Sequence, residues 1–290
     1  MQSNLIFDVG LHQGEDSEFY LKKGFSVVAV EADPRIAAQA ADRLRTYLDK
    51  GQLTIVNKAI ANEEGPISFF VSENVTVWGT TDPTWAERNR QLGALIKEIS
   101  VEGIHFSRLI KEYGVPYYVK IDIEGADALC LEGLLKSDER PKFLSIESCK
   151  TSFDQLVREF CLLQQLGYKR YKIVAQHKIA EQQLPNPPKE GQFVEHKFEE
   201  GSSGAFGLEL PGEWLALEPA LKTYMAIFRK YRLTGDAGLS SVRLMRGVLN
   251  SENSRLLSPV ASMARNLIRN IGSRLNLRAG WYDTHAMLEE

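Results

Sequence analysis

Three ionisable side chains interrupt an otherwise apolar run in the middle of the chain. In VKIDIEGAD, Lys120, Asp122 and Glu124 alternate with valine and isoleucine. A period of two places all three on one face of a strand, where charges are costly unless they cluster at a site. Neighbouring carboxylates raise the pKa of one of the pair, so Asp122 and Glu124 are candidate general bases. The sequence leaves open the alternative that Lys120 only forms a structural ion pair.

A second candidate site lies near the amino terminus, where DVGLHQG separates an apolar run from a predicted helix. Gly10 and Gly14 are the small residues that a strand-to-helix turn needs where the backbone bends and a ligand approaches. The spacing lacks the third glycine of a dinucleotide fingerprint. Glu15 and Asp16 stand at the helix N-terminus, where they would repel a diphosphate. The pattern therefore predicts a nucleoside ligand without phosphates.

The second predicted strand ends at Glu31. Its interval from Gly10 is that of an acid that accepts hydrogen bonds from ribose hydroxyls. An adenosine ligand that keeps both hydroxyls and carries no phosphate is S-adenosylmethionine, whose sulfonium and ammonium cations would be attracted by nearby acids. We therefore predict S-adenosylmethionine as the cofactor. The predicted cofactor residues on these elements are Asp8, Gly10, Gly14, Glu31 and Asp122.

Further candidates surround this predicted cofactor. His12 lies in the glycine loop, and imidazole is the side chain most often used as a base near neutral pH, so it is a third candidate base, although a loop histidine is as often an ordinary surface residue. Glu147 ends the fifth strand at the same predicted edge and is a candidate substrate contact. Thr80 and Thr81, in WGTTDPTW, are further candidate substrate contacts. Packing explains the tryptophans that flank them equally well.

No metal site is predicted. Asp122, Glu124 and Glu147 offer the oxygen ligands that Mg²⁺ takes, which is the alternative reading of these acids. Nothing in their spacing requires a metal ion. The three cysteines contain no CxxC pair, so neither a thiolate zinc site nor a disulfide framework is indicated.

The elements that position these residues alternate between buried strands and helices through the first 176 residues. This alternation predicts an α/β protein with a doubly wound parallel sheet. The predicted strands are Leu5–Val9, Phe25–Glu31, Leu53–Val56, Tyr117–Asp122, Phe143–Glu147 and Tyr168–Val174. The predicted helices are Asp16–Lys23, Arg35–Asp49, Ala126–Lys136 and Phe153–Leu166. An insertion with strands Ile67–Val71 and Ile99–Ile104 is expected to lie over the site.

A change in composition near Pro211 predicts a boundary between residues 1–211, the cofactor-binding domain, and 212–290, a helical extension. The loop-forming segments LPNPPKEG and EEGSSG precede it, and the chain beyond it is richer in arginine. Ser258 and Pro259 resemble the start of a basic amphipathic helix. Such a helix either packs on its own domain or lies on an anionic membrane.

The overall composition excludes several classes of partner. The 290 residues carry a net charge of −3, so the molecule lacks the basic field that holds nucleic acid. The amino terminus does not resemble a signal peptide, and no apolar run reaches the length of a membrane span. A cytoplasmic location without an integral membrane segment is therefore expected. The oligomeric state is not predicted.

Several motifs together resemble the FkbM-type methyltransferases. They are DVGLHQG at 8–14, the following EDSEFYLKKGFSVVAVEADP, VKIDIEGADALCLEGL at 119–134 and GWYDTHA at 280–286. The similarity extends over about residues 5–176, and KIDIEGAD is its most specific part. The resemblance implies a class I S-adenosylmethionine-dependent enzyme that O-methylates a hydroxyl of a sugar, glycan or other natural product.

The same resemblance implies a Rossmann-like sheet of seven strands in the order 3-2-1-4-5-7-6, with the last strand antiparallel. It also places Asn57 and Lys58, in NKAIANEEG, at the adenine. The acceptor it implies is a small molecule or a glycan.

The sequence leaves two other functions open. Tyr168 and Lys172 match the Y-x-x-x-K pattern of NAD(P)-dependent short-chain dehydrogenases. That pattern requires a helix, which puts both side chains on one face, whereas this segment is predicted to be a strand. The second alternative is a catalytically silent S-adenosylmethionine-binding module that serves a glycan assembly system.

Overall fold

The computed structural model describes residues 1–149, 152–199, 201–234 and 281–289. In chain order the strands are β1 Gln2–Val9, β2 Ser26–Val30, β3 Leu53–Val56, β4 Ala59–Ile60, β5 Gly65–Ser72, β6 Ile96–Ile104, β7 Pro116–Ile121, β8 Phe143–Glu147, β9 Arg170–Ala175 and β10 Tyr282–Met287. The helices are α1 Glu15–Lys22, α2 Pro34–Arg43, α3 Arg45–Asp49, α4 Pro83–Gln91, α5 Phe106–Tyr113, α6 Asp127–Leu135, α7 Phe153–Gln165 and α8 Leu217–Thr234.

Seven strands form the central sheet in the order β3-β2-β1-β7-β8-β10-β9. Only β10 runs antiparallel to its neighbours β8 and β9. Counted among these seven strands alone, the order is 3-2-1-4-5-7-6. The predicted fold, a doubly wound Rossmann-like sheet with an antiparallel last strand, is therefore confirmed.

Alternation along the strands buries both faces of the sheet. On β1, Ile6 points into one apolar cluster, whereas Phe7 and Val9 point into the other. The first cluster is closed by α1 and by the long segment 182–216, which contributes Phe198 and Phe206. Helices α5 to α8 cover the second apolar cluster. The edge at which the parallel strands end remains open, which is where ligands bind in such sheets.

The sheet register aligns polar residues in two rows. In the first row Asp8 of β1 pairs with Lys120 of β7, Lys120 pairs with Ser145 of β8, and Ser145 pairs with His285 of β10. One step nearer the open edge, Glu147 of β8 is the direct partner of Asp283 on β10. The central strands therefore carry charged side chains at the open edge of the sheet.

The insertion forms a small second sheet in the order β4-β6-β5. The predicted strands Ile67–Val71 and Ile99–Ile104 lie within β5 and β6, which pair antiparallel along their length. A short 3-10 helix, Thr76–Trp78, and α4 connect these two strands. This insertion covers the open edge of the central sheet and forms the roof of a cleft there.

Three details differ from the sequence predictions. The predicted helix Arg35–Asp49 is two helices, α2 and α3, because Leu44 leaves the helical conformation and packs its buried side chain against Gly14. Strand β7 ends at Ile121, so Glu124 lies beyond the strand, at a turn with a φ of +50°. Residues 282–287, placed in the predicted helical extension, form β10 in the central sheet.

Beyond Pro211, α8 packs on the same core as the helices of the body, and its Ala220 and Tyr224 are buried there. The division at Pro211 stays a prediction. The predicted amphipathic helix that begins at Ser258 and Pro259 lies outside the described residues. In the part of the chain that is described, no helix has the length and apolar character needed to cross a membrane.

Candidate active site

A cleft of about 380 Å³ opens at the edge of the sheet where β1, β2, β7 and β8 end. Its floor is the glycine loop and the ends of these strands, and its roof is the insertion. Eight residues predicted for the site line it: Gly10, His12, Glu31, Lys58, Thr81, Asp122, Glu124 and Glu147. Four others, Asp8, Gly14, Asn57 and Thr80, lie behind the lining and hold it in place.

Gly10 allows two strand ends to touch. Its φ is +96°, and a Cβ atom there would lie 1.9 Å from the carbonyl oxygen of Asp122. The Gly10 carbonyl accepts a hydrogen bond from Lys120 Nζ at 2.9 Å. Gly14, with a φ of +87°, begins α1 and packs against Leu44 instead of facing the cleft. Both glycines are therefore required by the backbone, and Gly10 alone lines the cleft.

Lys120 is a buried cation among three acids, of which Asp8 and Asp16 are buried and Asp122 is partly exposed. Its Nζ lies 3.3 Å from Asp8 Oδ1, 3.5 Å from Asp16 Oδ2 and 3.9 Å from Asp122 Oδ2. Burial alone would lower the pKa of Lys120, but these carboxylates outweigh it and raise that pKa well above its usual value. The structural ion pair left open by the sequence is thus present, inside the cleft.

Asp8 holds Lys120 in place through their ion pair and does not line the cleft. It is fully buried, and its Oδ2 accepts a hydrogen bond from Ser17 Oγ at 2.6 Å. Asp16 is also buried and accepts from the backbone N–H of Ser203 at 2.9 and 3.0 Å. Burial raises the pKa of Asp16 to about 6, although Lys120 acts in the opposite direction. Negative charge therefore lies directly at the N-terminus of α1.

Glu31 is fixed between two backbone donors. Its Oε2 accepts from the N–H of His12 and its Oε1 from the N–H of Asp33, both at 2.9 Å. Burial raises the pKa of Glu31 to about 7, although both N–H groups act in the opposite direction. Each carboxylate oxygen keeps a second lone pair for a ligand hydroxyl. Asn57 donates to the Glu31 carbonyl oxygen at 2.7 Å, so it shapes this turn from outside the cleft.

The insertion is tied to the glycine loop through His12. The His12 Nε2 lies 2.9 Å from Thr76 Oγ1, and its Nδ1 lies 3.4 Å from Glu15 Oε1. His12 has a φ of +50°, which aims the ring at the roof. Both of its ring nitrogens therefore have partners, one in the roof and one at the start of α1.

Of the two threonines in the roof, only Thr81 lines the cleft. Thr80 is fully buried, and its Oγ1 donates to the carbonyl oxygen of Glu124 at 2.7 Å. Trp85 packs against Gly125, where a Cβ would approach its ring to 2.8 Å. Trp78, in contrast, faces the cleft. Thr80 and Trp85 therefore hold the turn that carries Glu124.

Asp127 fixes the same turn from below. Its carboxylate accepts from the N–H groups of Ile123 and Gly125, both at 3.1 Å. Burial raises the pKa of Asp127 to about 6. Asp122 and Glu124 are consequently presented to the cleft by the end of β7 and the turn that Asp127 holds, whereas Glu147 is presented by the end of β8.

Several lining residues were not predicted: Asp33, Gln176, His177 and Trp281. Asp33 carries the signal of a helix start, because proline follows it, and its side chain caps α2. Trp281 belongs to a polar and aromatic group, GWYDTHA, whose composition is unusual for a chain end. Its position in the cleft follows from the pairing of β10, which the local sequence does not reveal. Among the described residues, no three His, Cys, Asp or Glu side chains are grouped as metal ligands.

Comparisons with known proteins give the family. The model of the methyltransferase FkbM domain matches residues 8–170. The search of curated proteins gives no match.

Among solved structures, precorrin-6y C5,15-methyltransferase from Geobacter metallireducens is 14% identical, with a TM-score of 0.34 over 60% of this chain and 68% of that one. Phosphoethanolamine N-methyltransferase 2 of Haemonchus contortus, in complex with S-adenosyl-L-methionine, is 12% identical with a TM-score of 0.35. All of this chain is covered in that comparison, and 49% of the other. Since the family model spans more than half of the residues, the chain belongs to the FkbM methyltransferase family.

Proposed function

We propose that this methyltransferase uses S-adenosylmethionine to methylate a hydroxyl of a small-molecule, sugar or glycan acceptor. The observation that carries the proposal is Glu31, whose carboxylate is held by two backbone N–H groups at the end of β2, beside the Gly10 turn. In sheets of this type, an acid at this position accepts hydrogen bonds from ribose hydroxyls. When bound, the cofactor supplies a methyl group already activated by the sulfonium.

The charges of the cleft suit a cationic nucleoside and oppose a phosphorylated one. Glu15, Asp16 and Asp122 surround the glycine loop, and Lys120 is already shared among acids. A diphosphate at the N-terminus of α1 would meet the carboxylate of Asp16. A sulfonium and an ammonium group gain attraction from the same acids. Lys58, Ala59 and Phe69 line the opposite end and leave space for the adenine.

The dehydrogenase alternative finds no support in the geometry. Tyr168 is fully buried, and its hydroxyl donates to the carbonyl oxygen of Pro141 at 2.8 Å. Lys172 lies in β9 and donates to the carbonyl oxygen of Leu210 at 2.6 Å. Neither residue lines the cleft, and no helix joins them.

For transfer to a hydroxyl, the chain must orient the acceptor and accept its proton. Asp122, Glu124 and Glu147 face the part of the cleft that Thr81, Trp78 and Trp281 enclose. That combination of carboxylates and aromatic side chains suits a polyhydroxylated acceptor, since carboxylates accept from hydroxyls and the rings cover apolar faces. We place the acceptor there.

Titration calorimetry with S-adenosylmethionine tests the proposal. We expect binding by the wild type and a loss of about 10- to 100-fold in Glu31→Ala, because a buried charge-assisted contact is removed. Glu132→Ala, on the exposed face of α6, is the matched control and should bind normally. Binding of NAD(H) instead, or unchanged affinity in Glu31→Ala, would contradict the proposal.

An acceptor screen separates the enzyme from the silent module. Methyl-labelled cofactor is incubated with saccharides, glycolipids and amines, and transfer to a hydroxyl is the expected result. Tight cofactor binding without transfer to any acceptor would favour the accessory module. Transfer confined to amines would contradict O-methylation.

A further inference from the structure

Three carboxylates form a row across the open edge of the central sheet. Glu147 and Asp283 are directly opposed on the antiparallel strands β8 and β10. Asp122 follows Ile121, which is the partner of Ile146, so Asp122 stands beside Glu147 on the other side. We call Asp122, Glu147 and Asp283 the acid row. Cross-strand partners lie about 5 Å apart, a distance at which like charges repel.

Few cations face this row from the elements around it. Glu124 and Asp127 add negative charge from the turn after β7 and from α6, and Asp16 adds more from α1. Lys120 lies 3.9 Å from Asp122 and is closer to Asp8 and Asp16. Gln176 donates to Asp283 Oδ1 at 2.8 Å, and His177 also lines the cleft.

Glu147 is the member of the row with the fewest compensating contacts. Asp122 has Lys120, and Asp283 has Gln176. Within the part of the chain that the structure describes, no hydrogen bond reaches the Glu147 carboxylate, which nevertheless lines the cleft. Burial, and then the charges of Asp122, Glu124 and Asp283, raise the pKa of Glu147 well above its ordinary value. Burial and opposed like charges favour the protonated form of such a carboxyl, and an arriving positive charge favours the ionised form.

We propose that Glu147, within the acid row, carries a proton in the empty cleft, releases it when the sulfonium cation binds, and accepts the proton of the acceptor hydroxyl during transfer. This inference rests on the proposed function. As the acceptor oxygen forms its bond to the methyl carbon, the S–CH3 electron pair stays on sulfur and the O–H proton passes to the Glu147 carboxylate. One positive charge at sulfur and one negative charge at Glu147 disappear together, so the total charge of the buried cleft is conserved.

The test compares two ligands that differ only in the methyl group and its charge. S-adenosylmethionine and S-adenosylhomocysteine share the ribose, so any titration of Glu31 is common to both. Calorimetry in two buffers of different ionisation enthalpy gives the protons released by each. At about pH 6.5 the amino groups of both ligands are protonated. We expect S-adenosylmethionine to release up to about one proton more than S-adenosylhomocysteine.

Two variants identify the carrier. Glu147→Gln should abolish the difference between the ligands. Burial and then the charge of Asp122 also raise the pKa of Asp283 well above its ordinary value, so Asp283→Asn tests the other possible carrier and should retain a difference. Glu190→Gln is the matched control, since Glu190 is another buried carboxyl with a raised pKa but lies outside the cleft lining. It should retain the full difference.

The outcomes are separable. Failure of the wild type to bind S-adenosylmethionine would defeat the proposed function itself. Binding of both ligands with equal proton release would overturn only the inference about the acid row. Persistence of the difference in Glu147→Gln would also overturn it, because the proton would then reside elsewhere.

Discussion

Gly10 and Lys120 show how single residues join the two strand ends on which the cleft depends. The absence of a side chain at Gly10 allows the carbonyl oxygen of Asp122 to approach, and Lys120 binds the Gly10 carbonyl from below. The same Lys120 balances the buried carboxylates of Asp8 and Asp16 and the partly exposed carboxylate of Asp122. The local geometry of the glycine loop is therefore set by residues more than 100 positions away.

Gly10→Ala should damage both folding and binding. The new Cβ would overlap a backbone carbonyl at 1.9 Å, and the left-handed φ of +96° adds strain. Gly65→Ala is the matched control, because its φ is +100° and nothing lies within 4 Å of the added atom. We expect a loss of about 1 kcal/mol in the control and several kcal/mol in Gly10→Ala, measured by urea unfolding. Equal losses would show that the loop can move away from Asp122.

Glu31 and Gly10 line the cleft as the sequence predicts, and the signals for their position are local: a glycine turn, a strand end and a fixed interval. Asp8, predicted as a cofactor residue, lies outside the cleft lining, and its buried carboxylate contacts Lys120 and Ser17 instead. The reason is that Asp8 pairs with Lys120, a partner 112 positions later whose register is fixed only by the assembled sheet. Long-range pairing is also why Trp281 and Asp283 could not be assigned.

Among the elements, strands with continuous apolar sequence were predictable, whereas β10 was not. Its sequence, YDTHAM, is polar and short, and it becomes a central strand only because β8 and β9 pair with it on both sides. Helix α2 was also predicted too long, since the conformation of Leu44 depends on its contact with Gly14. Propensity determines such segments less than tertiary contacts do.

The insertion acts as a roof because one side-chain contact joins it to the glycine loop. Thr76→Val keeps the shape of the side chain and removes the partner of His12 Nε2. A net hydrogen bond is worth about 1 kcal/mol, so we expect S-adenosylmethionine to dissociate up to about fivefold faster. Stopped-flow displacement measures this rate, with Thr54→Val on β3 as the exposed control. Identical dissociation rates in both variants would show that the contact does not hold the roof closed.

Across the whole molecule, a buried polar network joins the chain end to the body behind the acid row. Ser148 donates to Glu159 on α7 and contacts Thr284 on β10, whose Oγ1 lies 2.6 Å from the Tyr224 hydroxyl on α8. None of these four side chains lines the cleft. Ser148 follows Glu147 and Thr284 follows Asp283, so the network fixes the strand ends that carry the row.

Glu159 makes the stability of this assembly depend on pH. Burial raises its pKa to about 8 from an ordinary value of 4.5, against the opposing effect of the Ser148 hydrogen bond. The native state therefore holds a proton that the unfolded state has released, so the stabilisation is full below pH 4.5 and is lost as pH rises through about 8. In Glu159→Gln the side chain is neutral at every pH, and this loss should vanish.

We expect the free energy of unfolding of the wild type to fall relative to Glu159→Gln by about 1.4 kcal/mol per pH unit between these two pKa values. Urea unfolding at a series of pH values measures the difference, and groups common to both proteins cancel. Glu132→Gln, exposed on α6, should follow the wild type throughout. Parallel curves for the wild type and Glu159→Gln would mean that Glu159 is ionised in the native protein. Ser148 and Thr284 would then be held by a charged carboxylate, and the acid row would have a further negative charge behind it.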